Sequence, residues 1–148
     1  MNEMKLMLVD DEPRFLETTQ KLLLRKGVEA VTALSGEEAL EKLRLTSVHV
    51  VILDVKMPGM DGITTLKAIK SRFPMIEVIM LTGHATVESA IEGLKSGATD
   101  YLMKPADIDE ILRKASEAYA NRQRLEEKIR VAQMRKLSGS PRDIIKDS

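Results

Sequence analysis

Residues Val48 to Gly62, VHVVILDVKMPGMDG, decide how the rest of the chain is read. The stretch opens on an apolar run, Val48 to Leu53, interrupted only by His49, and the run ends at Asp54. A continuous block of Val, Ile and Leu is the pattern of a strand buried on both faces, as in a parallel sheet. Pro58, Gly59 and Gly62 make the segment after Asp54 a loop. A carboxylate therefore stands at the carboxyl end of a central strand, the edge at which open parallel sheets bind their ligands.

The same grammar repeats on either side. Met4–Val9 is a buried first strand that ends on Asp10, Asp11 and Glu12. Pro13 suits a first helical turn, Phe15, Leu16, Thr19, Leu22 and Leu23 recur at helical spacing, and Gly27 stops the helix. Val28–Ala33 alternates apolar and polar, as a strand nearer the sheet edge does. Ser35 and Glu38 form a capping-box pair for a helix ending near Thr46. Beyond the loop, a helix begins at Asp61 or Gly62 and closes before Pro74. Ile76–Leu81 is a further buried strand, ending on Thr82 and Gly83. Thr86–Ser96 predicts a helix with Ala90, Ile91 and Leu94 apolar, stopped by Gly97. Thr99–Met103 is a fifth strand, ending on Lys104-Pro105, and Asp107 caps a last helix with Glu110 at the box position. Strict strand–helix alternation predicts a parallel sheet with helices on both faces and right-handed crossovers.

The polar residues at the strand ends form a set. The first strand offers Asp10 and Asp11, the third Asp54, the fourth Thr82 and the fifth Lys104. Crowded carboxylates repel unless a cation joins them. Oxygen-only ligands suit Mg²⁺ or a similar hard ion that takes a phosphate oxygen readily. With no cysteine and no paired histidines, a zinc site is not expected. A hard cation, an ammonium and a hydroxyl make a cradle for a phosphoryl group, and a carboxylate can be its covalent acceptor. Asp54, at the central tip, is the expected acceptor. Singly, each residue has an ordinary reading: Asp10 and Asp11 as a helix-entry cluster, Lys104 as a surface lysine, Thr82 as a turn residue, Tyr101 as an amphipathic core residue. His49 is expected to be structural, and Met57 and Met60 to pack in their loop. The coincidence of all these types at one sheet edge outweighs those readings.

Composition narrows the field. Formal net charge is zero, and 43% of the 148 residues are hydrophobic, which suits one soluble domain with an appendage. Aromatic content of 3% disfavours a base-stacking surface for single-stranded nucleic acid. The absence of cysteine, of a signal-peptide pattern and of any apolar run near the roughly 18 residues of a membrane span leads to the expectation of a cytoplasmic protein.

VDDE, LDVKMPGMDG, the LTGHA turn and GATDYLMKP, four segments in order, resemble the motifs of response-regulator receiver domains of two-component signalling. The resemblance spans Met4 to Tyr119 and implies a flavodoxin-like doubly wound sheet of order 2-1-3-4-5 with an extended C-terminal helix. It implies that Asp54 accepts phosphate from a sensor histidine kinase or a phosphotransfer protein. Asp11, Asp54 and the backbone carbonyl of Lys56 would bind Mg²⁺, and Asp10 would hold metal-bound water. Lys104 would pair with the phosphoryl group and Thr82 would hydrogen-bond to it. Tyr101 falls at the family's aromatic switch position, and Thr82 moves with it to reshape the surface for a downstream effector protein. Lys104-Pro105 would be cis. Lys56 and His84 fall at positions that tune phosphate lifetime. Ala106 departs from the family pattern, which often has an aromatic residue after this proline.

The expected domains are residues 1–119 as the receiver, 120–138 as a helical extension and 139–148 as a flexible tail. Ala115, Ala118, Arg122, Leu125, Ile129 and Ala132 fall at alternating spacings of 3 and 4, a coiled-coil seam that would support a homodimer. Arg113 to Lys136 holds eight Lys or Arg against three Glu, while the residues before it hold thirteen against eighteen acidic ones. Such a basic helix could meet an acidic partner. No helix-turn-helix pattern is present, so direct DNA binding is not expected. Three other functions compete, one of them a phosphorylation-dead receiver, which would lack one of the five polar groups, and none is missing. An aspartyl-phosphate phosphatase would need a D-x-D nucleophile and a cap insert, whereas Asp10 and Asp11 are adjacent. A flavodoxin would need a Ser/Thr-rich phosphate loop where DDEP stands.

Overall fold

The structure is a computed structural model and describes residues 3–55, 60–83 and 86–138. Five strands, β1 (Lys5–Val9), β2 (Glu29–Ala33), β3 (Val50–Leu53), β4 (Glu77–Thr82) and β5 (Asp100–Met103), form one parallel sheet of order β2-β1-β3-β4-β5. Five helices alternate with them: α1 (Pro13–Arg25), α2 (Gly36–Leu45), α3 (Gly62–Arg72), α4 (Val87–Lys95) and α5 (Ile108–Ser138). This is the doubly wound, flavodoxin-like arrangement expected from the sequence, with its long last helix.

Two apolar layers hold the sheet. On one face Met7, Val51, Leu53 and Met80 pack with Ala39, Leu40 and Leu43 of α2 and Leu66 and Ile69 of α3. On the other, Leu6, Leu8, Ile52 and Leu81 pack with Leu16 and Leu23 of α1 and Ile111, Ala115 and Ala118 of α5. Successive residues of β3 serve opposite layers, and all four are buried. That is why the segment reads as an unbroken apolar run and not as an alternation.

Several local details differ from expectation, each for a physical reason. Ser35 accepts the Glu38 N–H as predicted, but the Glu38 carboxylate reaches past the cap and accepts the Leu34 N–H at 2.8 Å. β3 begins at Val50, later than the apolar run, because the chain bends at His49. The apolar side chains Ile91 and Leu94 of α4 are exposed; the one residue of that helix buried on the sheet is Gly93. A side chain at Gly93 would collide with Met80, so α4 rides on the sheet through its backbone and turns its aliphatic side chains outward. Ala115 and Ala118, the first positions of the expected seam, are buried in the domain's own core. Arg122 is ion-paired with Glu126 and lines a cavity of about 270 Å³ with Phe73, Pro74 and Met75. The seam left for a partner therefore starts at Leu125. Among the described residues no helix is long and apolar enough to cross a membrane.

His49 links the lower edge of the sheet to α5. Its Nδ1 accepts the Lys5 N–H at 2.9 Å, and its ring meets that of Tyr119 at 4.9 Å. Burial, then the charge of Arg122, lowers its pKa; Lys5 acts in the same direction, while Glu126 and Glu3 oppose. A folded pKa below the unfolded value of about 6.5 means that the neutral ring stabilises the fold above that pH. The contribution is lost as pH falls through that value toward the folded pKa. Thermal unfolding midpoints should accordingly drop more steeply on acidification from about pH 7.5 to 5.5 in the natural protein than in His49→Gln. Equal slopes in the two proteins would contradict this.

Candidate functional site

The site is built by the ladder before any side chain is considered. Leu53 pairs with Val9 on one side and with Met80 on the other, and Thr82 pairs with Met103. The bonding then runs one residue past the strand ends. Asp10 N–H donates to the Ala33 carbonyl at 3.1 Å, Asp54 N–H to Val9 at 2.9 Å and Lys104 N–H to Thr82 at 3.0 Å. Asp10, Asp54, Thr82 and Lys104 thus occupy one rim of the sheet.

Their side chains converge. Asp10 is 2% exposed; its Oδ1 accepts the Glu12 N–H at 2.9 Å and its Oδ2 accepts from Lys104 Nζ at 2.5 Å. Asp54 is 6% exposed, with Oδ2 4.0 Å from the same ammonium. Asp11 is exposed, and one carboxylate oxygen from each of Asp10, Asp11 and Asp54 lies within 4.8 Å of the others. Thr82 is fully buried at the end of β4. The Lys104–Pro105 peptide bond is cis.

Charge decides what the cluster can hold. Among the described residues three carboxylates face one ammonium, so that part of the cluster carries more negative than positive charge. Its donors are all oxygens, with no histidine among them. A hard divalent cation fits this donor set, and zinc or another soft metal does not. Tyr101 stands apart from the cluster. It lies on β5 against α4, with its hydroxyl 3.5 Å from that of Ser89, which completes the capping box of α4 with Thr86. Lys56 and His84 lie outside the described residues.

Two contacts were not legible in the sequence. Glu37, in the first turn of α2, accepts the Met60 N–H at 3.1 Å and so ties the segment after Asp54 to α2. Hydrogen bonds from its own backbone N–H and from Met60 hold its carboxyl below the ordinary value. Nearby, Gly62 donates its N–H to Val55 at 2.8 Å, in a place where a side chain would strike the backbone of Asp54 and Val55. The second contact is Phe15, read from periodicity as a core position of α1. The Lys104 ammonium sits over its ring, 4.1 Å from the centroid. An aromatic residue in the first turn after the acidic cluster was the available signal.

Comparison with known proteins agrees with this geometry. The family described as "Response regulator receiver domain" matches residues 6–116. The transcriptional regulatory protein ZraR of Klebsiella oxytoca is 41% identical over 119 residues, which are 80% of this chain and 27% of that protein. The DNA-binding transcriptional regulator NtrC of Escherichia coli K12 is 36% identical over 138 residues, 93% of this chain and 29% of that protein. The crystal structure of a CheY-like response regulator receiver domain protein from Methanospirillum hungatei JF-1 superposes with a TM-score of 0.79 at 28% identity, covering 83% of this chain and 98% of that one. The chain thus spans about a quarter of the length of the curated relatives it matches. The expectation of no direct DNA contact gains no support here, since one of these relatives is a DNA-binding regulator by name.

The electrostatics can be tested on stability alone. Without divalent metal, Asp11→Asn should unfold a few degrees higher than the natural protein, because it removes one of three repelling carboxylates. Millimolar Mg²⁺ should raise the unfolding temperature of the natural protein and do so much less in the variant. Calorimetric scans with chelator and with Mg²⁺ check both; an unchanged metal response in Asp11→Asn would contradict the assignment of that carboxylate to the cation.

Proposed function

The chain belongs to the response regulator receiver domain family, and on that premise we propose that Asp54 is the residue that takes up the phosphoryl group. The observation that carries this assignment is the convergence of the Asp10, Asp11 and Asp54 carboxylates within 4.8 Å of one another, with Lys104 Nζ 4.0 Å from Asp54. An Asp54 carboxylate oxygen attacks the phosphorus of a histidine kinase's phosphohistidine or of a phosphotransfer protein. The new P–O bond forms as the P–N bond breaks, and the imidazole leaves.

Each neighbour has a part. Asp10, Asp11, Asp54 and the Lys56 carbonyl would hold Mg²⁺, which when bound neutralises charge on the phosphoryl oxygens. Lys104 turns from Asp10 toward the new anion. The Thr82 hydroxyl donates to a phosphoryl oxygen. Tyr101 follows Thr82 inward and leaves Ser89, so that α4, held to the sheet through Gly93, changes the surface it offers to an effector. Lys56 and His84, at the family's tuning positions, set the lifetime of the aspartyl phosphate. The site therefore assists its own phosphorylation and dephosphorylation without being a separate turnover enzyme. A phosphomonoester phosphatase is not favoured: the adjacent pair Asp10-Asp11 offers no D-x-D nucleophile.

Likeness to ZraR and NtrC supports a transcriptional output for the signal, and membership of the receiver family supports a cytoplasmic location. The receiver would occupy residues 1–119 and the extension 120–138, with 139–148 as a tail outside the described residues. Leu125 and Ile129, 47% and 43% exposed at seam spacing, support a homodimer formed with a second copy of this helix.

Two measurements test these readings. Incubation with Mg²⁺ and acetyl phosphate should add one labile phosphoryl group to the intact mass of the natural protein and none to Asp54→Asn. Retention of the adduct in that variant would move the acceptor elsewhere. Sedimentation should show Leu125→Glu/Ile129→Glu as monomer at concentrations where the natural chain is dimeric. A natural chain monomeric throughout would remove the dimer.

A further inference from the structure

We propose that Phe15 is a positioning residue for Lys104, and that its ring keeps the ammonium at the mouth of the carboxylate cluster. The inference rests on the role given above to Lys104. Lysine is a point charge on a flexible stem, and fixing it costs rotamer entropy. Among the described residues Nζ lies 2.5 Å from Asp10, 4.0 Å from Asp54 and 4.1 Å from the centre of the Phe15 ring. The two carboxylates draw the charge inward, and the ring lies against it from α1. The Lys104 side chain is left 21% exposed.

The chemistry of the site favours a ring here over another acid. The negative face of an aromatic ring attracts a cation without carrying net charge. A further carboxylate would hold Lys104 more firmly, but it would add repulsion to a cluster whose described residues already carry more negative than positive charge and would resist an incoming phosphoryl anion. The ring does neither. Its attraction is also weakly directional, so the ammonium can slide from Asp10 toward a group on Asp54 and stay over the same face.

The packing points the same way. Phe15 and Ala106 are both partly buried against one core cluster, with Ile108 and Leu112. Ala106, beside the cis Pro105, brings a single methyl. The aromatic surface next to the lysine is thus supplied from α1, at the turn that leaves the Asp10–Asp11 pair. Phe15 joins the acidic end of β1 to the basic end of β5 through a ring contact, independent of the ladder.

The test uses Phe15→Leu, which keeps apolar bulk, Phe15→Tyr, which keeps the ring, and each change again in a Lys104→Met background. With Mg²⁺ and acetyl phosphate, Phe15→Leu should slow Asp54 phosphorylation about three- to tenfold, and Phe15→Tyr should restore most of the rate. In Lys104→Met, Phe15→Leu should cost nothing further, as a double-mutant cycle requires of a coupled pair. Independently, the Lys104 ε-methylene resonance should be ring-shifted in the natural protein and in Phe15→Tyr, and return to the position of a solvated lysine in Phe15→Leu. Equal slowing in both backgrounds, or an unshifted ε-methylene in the natural protein, would overturn the proposal. Full-rate phosphorylation of Lys104→Met would instead overturn the role of the lysine itself, even with the ring shift present.

Discussion

Asp54 donates its backbone N–H to the Val9 carbonyl, 2.9 Å away, and that bond fixes how far the tip of β3 extends beside β1. Asp10 comes directly after Val9 in the chain, so the same register puts the Asp10 and Asp54 carboxylates side by side on adjacent strands. A slip of one residue would turn one of them to the opposite face. The buried run Val50–Leu53 prevents that slip, because its residues are committed alternately to the α2–α3 layer and to the α1–α5 layer. The hydrophobic core thus sets the spacing of the charges at the sheet's rim.

That spacing is costly in isolation, since folding gathers acids that would otherwise be dispersed. The residues around the cluster offset the cost by different means. Lys104 neutralises part of the charge, the Glu12 N–H bonds to Asp10, and Phe15 stabilises the ammonium without adding an anion. The negative charge that remains among the described residues suits a small oxygen-seeking cation. A receiver domain depends on such a remainder, because the cation and the anionic phosphoryl group each become easier to bind once the other is present.

The fold was legible wherever a local rule reflects a tertiary fact. The apolar block before Asp54, Pro13 at a helix start and Gly27 and Gly97 at helix ends, both at positive φ, say in one dimension what the structure does in three. The site was legible for the same reason: strand ends are punctuated by turn residues, so polar groups beside that punctuation share an edge. Strand order lay beyond periodicity, which does not encode the direction a crossover takes along the sheet; the motif resemblance supplied it. Helical spacing marks an apolar face without naming what covers it. Ala115 and Ala118 met the domain's own sheet, whereas Ile91 and Leu94 face outward. Phe15 and Glu37 act through contacts with residues far along the chain, and the one local hint was an aromatic residue in the first turn after the acidic cluster.

Asp10, Asp11 and Asp54 are proposed to share one divalent cation. Mn²⁺, an oxygen-seeking ion that broadens nearby resonances, tests this directly in an amide NMR titration. Substoichiometric Mn²⁺ should erase first the amides of residues 10–12 and 54–55, then those of Thr82, Gly83 and Lys104. Broadening that begins instead at the acidic residues of α5, or that spreads evenly over the surface, would contradict the account.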